Sequence, residues 1–146
     1  MGDPVAGTIL VVDDDRDARE IIARMLESQG YTCVLAEDGP ACLDLARREA
    51  IDVIVLDVMM PGMDGLEVCA RLYADSELRK IPVILLTAKD DLDTRKRGME
   101  LGVSEFLTKP INKQELFTRV RSQLHSRSLV KQLEEADEKL GKEPLS

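Results

Sequence analysis

Val53-Ile54-Val55-Leu56-Asp57 is a run of four apolar residues closed by one carboxylate. The pattern recurs along the chain. Ile9-Leu10-Val11-Val12 ends in Asp13-Asp14, Ile84-Leu85-Leu86 ends in Thr87, and Phe106-Leu107-Thr108 ends in Lys109-Pro110. Short apolar runs bounded by turn signals and separated by helix-length segments read as parallel strands buried on both faces. In an open parallel sheet the carboxyl ends of the strands share one edge, where ligands bind. The four closing signals therefore predict one site built from Asp13, Asp14, Asp57, Thr87 and Lys109. Three acids, a hydroxyl and an ammonium suit a phosphoryl group and a hard metal ion.

Around these runs, strand and helix patterns alternate five times, which predicts a doubly wound α/β domain. The strands are expected over Thr8–Asp13, Thr32–Ala36, Asp52–Asp57, Pro82–Thr87 and Glu105–Thr108. The first helix should bury Ala18, Ile21, Ile22, Met25 and Leu26 and stop at Gly30. Gly39 opens a second, with Leu43, Leu45 and Ala46; a third carries Leu66, Val68, Cys69 and Leu72 and ends before Ile81-Pro82. The fourth, Asp90–Leu101, offers only Leu92, Met99 and Leu101 to bury and should be loosely held. The fifth begins at Asn112, which with Glu115 forms a capping-box pattern, and buries Leu116, Val120 and Leu124.

The helical pattern continues beyond Leu124. Leu129, Leu133, Ala136 and Leu140 repeat at a 4-3-4 spacing until Gly141 and Pro144 end the helix. That spacing fits a short coiled-coil seam, and equally a tail packed on its own domain. Residues 1–7 read as an N-terminal extension, 8–125 as the domain, and 126–146 as a helical tail or linker, which either belongs to a stand-alone domain or leads to an output domain outside this sequence.

Composition narrows the functional classes. Of the 146 residues, 44% are hydrophobic and 33% charged, enough for one domain with a core and a soluble surface. The net charge of -8 argues against nucleic-acid binding by this domain, and two Phe, two Tyr and no Trp leave little to stack on bases. No apolar stretch approaches the roughly 18 residues that span a bilayer. The start, Met1-Gly2-Asp3-Pro4, lacks the regions of a signal peptide, so a cytoplasmic protein is expected. Cys33, Cys42 and Cys69 have no metal or disulfide spacing and read as reduced thiols.

Each site residue also has an ordinary reading, and position decides between them. Among Asp13-Asp14-Asp15, Asp15 is the helix cap, which leaves Asp13 and Asp14 at the strand end. Carboxylates crowded there need a cation, and oxygen ligands with room for water favour Mg²⁺ or Mn²⁺ over Zn²⁺. Without metal, Asp13 and Asp14 are expected to share a proton. Asp57 enters a loop, Val58-Met59-Met60-Pro61-Gly62, and faces the other acids, so it can act as a nucleophile and carry an acyl phosphate. Lys109 can neutralise a phosphoryl oxygen and Thr87 can donate to one. The Lys109-Pro110 bond is a candidate cis peptide.

Over about Thr8 to Leu124 the chain resembles the receiver domain of two-component response regulators. The matching segments are Ile9–Asp15, Val55-Leu56-Asp57-Val58-Met59-Met60-Pro61-Gly62-Met63-Asp64-Gly65, Ile81–Ala88 and Phe106–Ile111. The resemblance implies a flavodoxin-like (βα)5 fold with a five-stranded parallel sheet of order 2-1-3-4-5. It implies that Asp57 accepts phosphate from a sensor histidine kinase or a histidine phosphotransfer protein. Asp14, Asp57 and the backbone carbonyl of Met59 would ligate Mg²⁺, with Asp13 assisting through water. Lys109 and Thr87 would bind phosphoryl oxygens, Phe106 would be the switch aromatic, and Met59 and Lys89 would set the lifetime of the phosphoryl group. Phosphorylation would favour a parallel homodimer through the tail. Ser104–Arg121 is similar to receivers attached to diguanylate cyclases or similar enzymes. The alternative is a Mg²⁺-dependent phosphatase of the haloacid-dehalogenase type, whose DxD signature Asp13-x-Asp15 superficially fits, although Asp17 stands where that family has Thr or Val. A dinucleotide-binding module is disfavoured because no glycine-rich loop follows the first strand.

Overall fold

The computed structural model describes residues 7–142, with side chains as far as Glu138. Five strands, β1 (Thr8–Val12), β2 (Thr32–Ala36), β3 (Val53–Asp57), β4 (Val83–Thr87) and β5 (Glu105–Thr108), form one sheet of order β2-β1-β3-β4-β5, every pair parallel. The helices are α1 (Arg16–Glu27), α2 (Gly39–Arg48), α3 (Gly65–Ala74), α4 (Leu92–Leu101) and α5 (Lys113–Lys142), with a single 3-10 turn at Leu78–Lys80. This is the expected flavodoxin-like fold.

Side chains alternate across a strand, so an apolar run feeds two cores at once. Leu10, Val12, Ile54, Leu56 and Leu85 point to one face and pack with Leu43, Val68 and Leu72 of α2 and α3. Ile9, Val11, Val53, Val55, Ile84 and Leu86 point to the other and pack with Ile22 and Leu26 of α1 and Leu116, Val120 and Leu124 of α5. Covering both faces explains why β3 and β4 are apolar up to their closing Asp57 and Thr87 and buried throughout.

Local signals fix where the helices start. Asp15, Asp38, Asp64 and Asp91 cap α1 to α4, each accepting a backbone N–H of the first turn. The amide of Glu115 donates to Asn112 Oδ1 at 2.9 Å at the start of α5. Each such cap contributes about 1 kcal/mol. Because the caps stand at the strand-end edge, they also set the loops that carry the site.

Two expectations about the helices are corrected. Ile21 is 52% exposed, since Ile22, Ala23 and Leu26 make the inner face of α1 and Ile21 lies on its flank. On α4 the three large apolar residues, Leu92, Met99 and Leu101, are exposed, whereas Thr94 and Gly98 are buried. The helix lies so close to the sheet that a Cβ on Gly98 would sit 3.0 Å from Cε1 of Phe106. Small residues therefore face inward there and the large apolar ones face water.

α5 runs through Gly141 to Lys142, so Gly141 does not end it. A glycine inside a helix costs about 1 kcal/mol relative to alanine and does not interrupt the hydrogen-bond ladder. Pro144, the side chain of Leu140 and residues 1–6, including the Met1-Gly2-Asp3-Pro4 start, lie outside the described residues. Leu129 and Leu133 are exposed. The first turns beyond Leu124 are pinned to the sheet edge opposite the site. Arg127 Nη1 donates to the Lys80 carbonyl at 2.8 Å, and Lys131 Nζ lies 3.2 Å from Asp52 Oδ1.

Cys42 and Cys69 are buried and Cys33 half-buried, all free thiols. Burial pushes the Cys42 and Cys69 thiols up to about 12 and Cys33 up to about 11. Among the described residues, no helix is long and apolar enough to cross a membrane.

Candidate functional site

The carboxyl ends of β1, β3, β4 and β5 bring the predicted residues together. Asp57 is the last residue of β3 and only 2% exposed, Asp13 follows β1 at 1%, and Thr87 ends β4 at 1%. Asp14, the next residue, is exposed. One carboxylate oxygen from each of Asp13, Asp14 and Asp57 lies within 4.8 Å of the others. Lys109 reaches in from the end of β5, its Nζ 2.9 Å from Asp57 Oδ1 and 3.9 Å from Asp13 Oδ2. The Lys109–Pro110 bond is cis, as its position suggested.

Asp13 is held from several directions. Its Oδ1 accepts the Asp15 amide at 2.9 Å, and its carbonyl accepts Arg19 Nη1 at 2.7 Å. Its Oδ2 is buried without a hydrogen-bond partner. Burial, more than any other influence, raises the Asp13 pKa; the Asp15 amide opposes this and the Asp57 charge adds to it. Asp14, by contrast, is exposed, and its charge is the weakest of the influences on Asp13. An orphaned buried oxygen beside an exposed carboxylate fits a hard divalent cation that keeps part of its water shell.

The loop after Asp57 is fixed by glycine. A Cβ on Gly65, the first residue of α3, would lie 2.7 Å from the Asp57 carbonyl oxygen and 2.7 Å from Val58 Cα. Both are backbone atoms with little room to yield. Gly65→Ala should lower stability by about 1–3 kcal/mol through overpacking, measured by urea unfolding, and should slow any reaction at Asp57 by shifting its strand end.

Thr87 stands at the neighbouring strand end, and its Oγ1 accepts Arg95 Nε at 3.3 Å. Arg95 also donates to the Thr108 hydroxyl. Phe106 is half-buried and packs against Gly98. The Met59 side chain is 68% exposed, while its amide approaches Asp57 Oδ1 at 3.4 Å; Lys89 is exposed. Sequence reasoning missed Arg19 and Arg95. Arg19 sits among the polar residues of α1, and Arg95 precedes Lys96 and Arg97, so neither stands out from a solvated helix face.

A model of the response regulator receiver domain matches residues 9–121. The chain belongs to the response regulator receiver family. The receiver is 43% identical over 133 residues to response regulator PleD of Caulobacter vibrioides, covering 91% of this chain and 29% of that protein. It is 45% identical over 116 residues to response regulator MprA of Mycolicibacterium vanbaalenii, covering 80% of this chain and 49% of that protein. The chain thus spans between about a third and a half of the length of these relatives. Among solved structures, the receiver domain of sensor histidine kinase PA1611 from Pseudomonas aeruginosa PAO1 superposes with a TM-score of 0.76 at 29% identity, covering 82% of this chain and 98% of that one. That structure holds a magnesium ion coordinated in its active-site cleft.

The haloacid-dehalogenase alternative finds no support. The second acid of its DxD signature would be Asp15, but Asp15 is exposed and caps α1 by accepting the Asp17 amide at 3.0 Å. It serves the helix and not the receiver site.

Proposed function

We propose that this receiver takes a phosphoryl group onto Asp57 from a phosphohistidine of a sensor histidine kinase or histidine phosphotransfer protein. The observation that carries the reading is a strand-end carboxylate, 2% exposed, whose Oδ1 is 2.9 Å from Lys109 Nζ and which lies beside an orphaned oxygen of Asp13. In the reaction an Asp57 carboxylate oxygen attacks phosphorus, the phosphorus–nitrogen bond breaks, and the imidazole leaves and takes up a proton. Asp14, Asp57 and the Met59 carbonyl would hold Mg²⁺, or Mn²⁺, with Asp13 acting through water; the ion supplies positive charge that offsets repulsion between the donor and the acids. Lys109 neutralises a phosphoryl oxygen and Thr87 donates to another. Thr87 then moves toward the phosphate and Phe106 rotates inward.

The chemistry of this domain is its own phosphorylation and dephosphorylation, in the cytoplasm, and the domain itself makes no direct contact with nucleic acid. We assign residues 8–125 to the receiver and 126–146 to a helical tail or linker. Acetyl phosphate with Mg²⁺ should add one phosphoryl group, and a chelator should stop the reaction. Labelling that is undiminished with the metal removed would overturn the metal's role.

Phosphorylation should also favour a parallel homodimer. The surface near Phe106 is formed by α4, β5 and α5, and Leu129 and Leu133 are exposed further along α5. Light scattering with and without a phosphoryl mimic should report a mass shift from one copy to two. An unchanged monomer mass at high concentration would refute this.

A further inference from the structure

Arg95 reaches from α4 to two threonines that are register partners at the ends of β4 and β5. Its Nε donates to Thr87 Oγ1 at 3.3 Å and its Nη2 donates to Thr108 Oγ1. The planar guanidinium can serve two acceptors at once because its donors are fixed in one fork. Among the described residues no carboxylate pairs with Arg95, so these hydroxyls are its side-chain partners. One turn further along α4, Gly98 is the surface against which the Phe106 ring rests, 3.0 Å from where a Cβ would be. One face of α4 therefore touches both residues of the proposed switch.

We propose that Arg95 is a positioning residue: it holds Thr87 in its resting place through the Nε contact, and phosphorylation of Asp57 must draw Thr87 away from it. The inference rests on the reading of Asp57 as the phosphoacceptor. Thr87 Oγ1 has one proton to give and two lone pairs to accept with. Arg95 occupies a lone pair, which leaves the proton for a phosphoryl oxygen. The contact does not block that donation, but it restrains the movement, because Arg95 is also anchored to Thr108 and to the backbone of α4. A charge-assisted hydrogen bond at a half-buried site biases such an equilibrium by roughly three- to tenfold.

The test is a double-mutant cycle read by the affinity for beryllofluoride in saturating Mg²⁺, with Mg²⁺ affinity alone as the check on the acid cluster. Arg95→Ala should bind beryllofluoride roughly three- to tenfold more tightly than the parent, with Mg²⁺ affinity unmoved. In a Thr87→Val background the same substitution should change nothing, because there is no hydroxyl left to release. Arg95→Lys, which keeps the charge and loses the fork, should resemble Arg95→Ala. Weaker or unchanged beryllofluoride binding by Arg95→Ala overturns the proposal, as does a gain that persists with Thr87→Val. If Arg95→Ala fails to fold, Arg95→Gln is judged by the same criteria. A parent that binds beryllofluoride while the cycle is additive defeats only the latch; a parent that neither binds it nor is labelled at Asp57 defeats the underlying reading.

Discussion

Mg²⁺ affinity will fall toward tenfold per pH unit once the pH drops below the pKa of Asp13, and the fall will begin at a higher pH than an ordinary aspartate would give. The metal needs ionised carboxylates, so each proton that must be displaced from the site costs one decade of affinity per pH unit. Burial raises the Asp13 pKa, so its proton persists to higher pH than on an ordinary solvated aspartate. The same shift has a sign for stability. A carboxyl whose pKa is raised on folding contributes stability below its unfolded pKa, and that contribution is lost as the pH rises through the folded value. Metal-free protein should therefore lose stability toward neutral pH through Asp13, and Asp13→Asn should remove that loss. Calorimetric Mg²⁺ titrations across mildly acidic to neutral pH, on the parent and Asp13→Asn, measure the effect. Affinity independent of pH over that interval would refute it.

Replacing Met59 by Asn and Lys89 by Glu together will shorten the life of the aspartyl phosphate by roughly tenfold or more. Hydrolysis needs a water aligned opposite the Asp57 oxygen, and a side chain that holds such a water contributes to the rate in the manner of general base catalysis. Met59 offers no hydrogen bond to a water, and a charged Lys89 cannot accept a proton from one. Both side chains lie on the surface, so the substitutions leave the core untouched and should shift stability little. The parent should accordingly be long-lived when phosphorylated. Decay of labelled protein, followed by intact mass, checks this; a double variant that loses phosphate no faster than the parent contradicts it.

The fold was legible because its strands are buried on both faces. An unbroken run such as Val53-Ile54-Val55-Leu56 admits few other readings, and each run ends on the residue that enters the site. Asp57, Thr87 and Lys109 were found that way, by position at a strand end. The different surroundings of Asp13 and Asp14 are also implied by strand alternation, but adjacency in sequence suggested equal partners. α4 was less legible. Its inner face is Thr94 and Gly98, which carry no hydropathy signal, so Leu92 and Met99 were read as buried when they face water. Arg95 was hidden for a related reason, because a cation between charged neighbours reads as solvated until the closeness of α4 to the sheet is known. The pinning of the tail by Arg127 and Lys131 depends on residues 47 and 79 positions away in sequence, beyond any local pattern.

The most direct test of the receiver's chemistry is site mapping after incubation with acetyl phosphate and Mg²⁺, on the parent and on Asp57→Asn. The parent should gain one phosphoryl group, located by peptide mass analysis at Asp57, and Asp57→Asn should gain none. Undiminished labelling of Asp57→Asn would contradict the assignment of Asp57 as the phosphoacceptor.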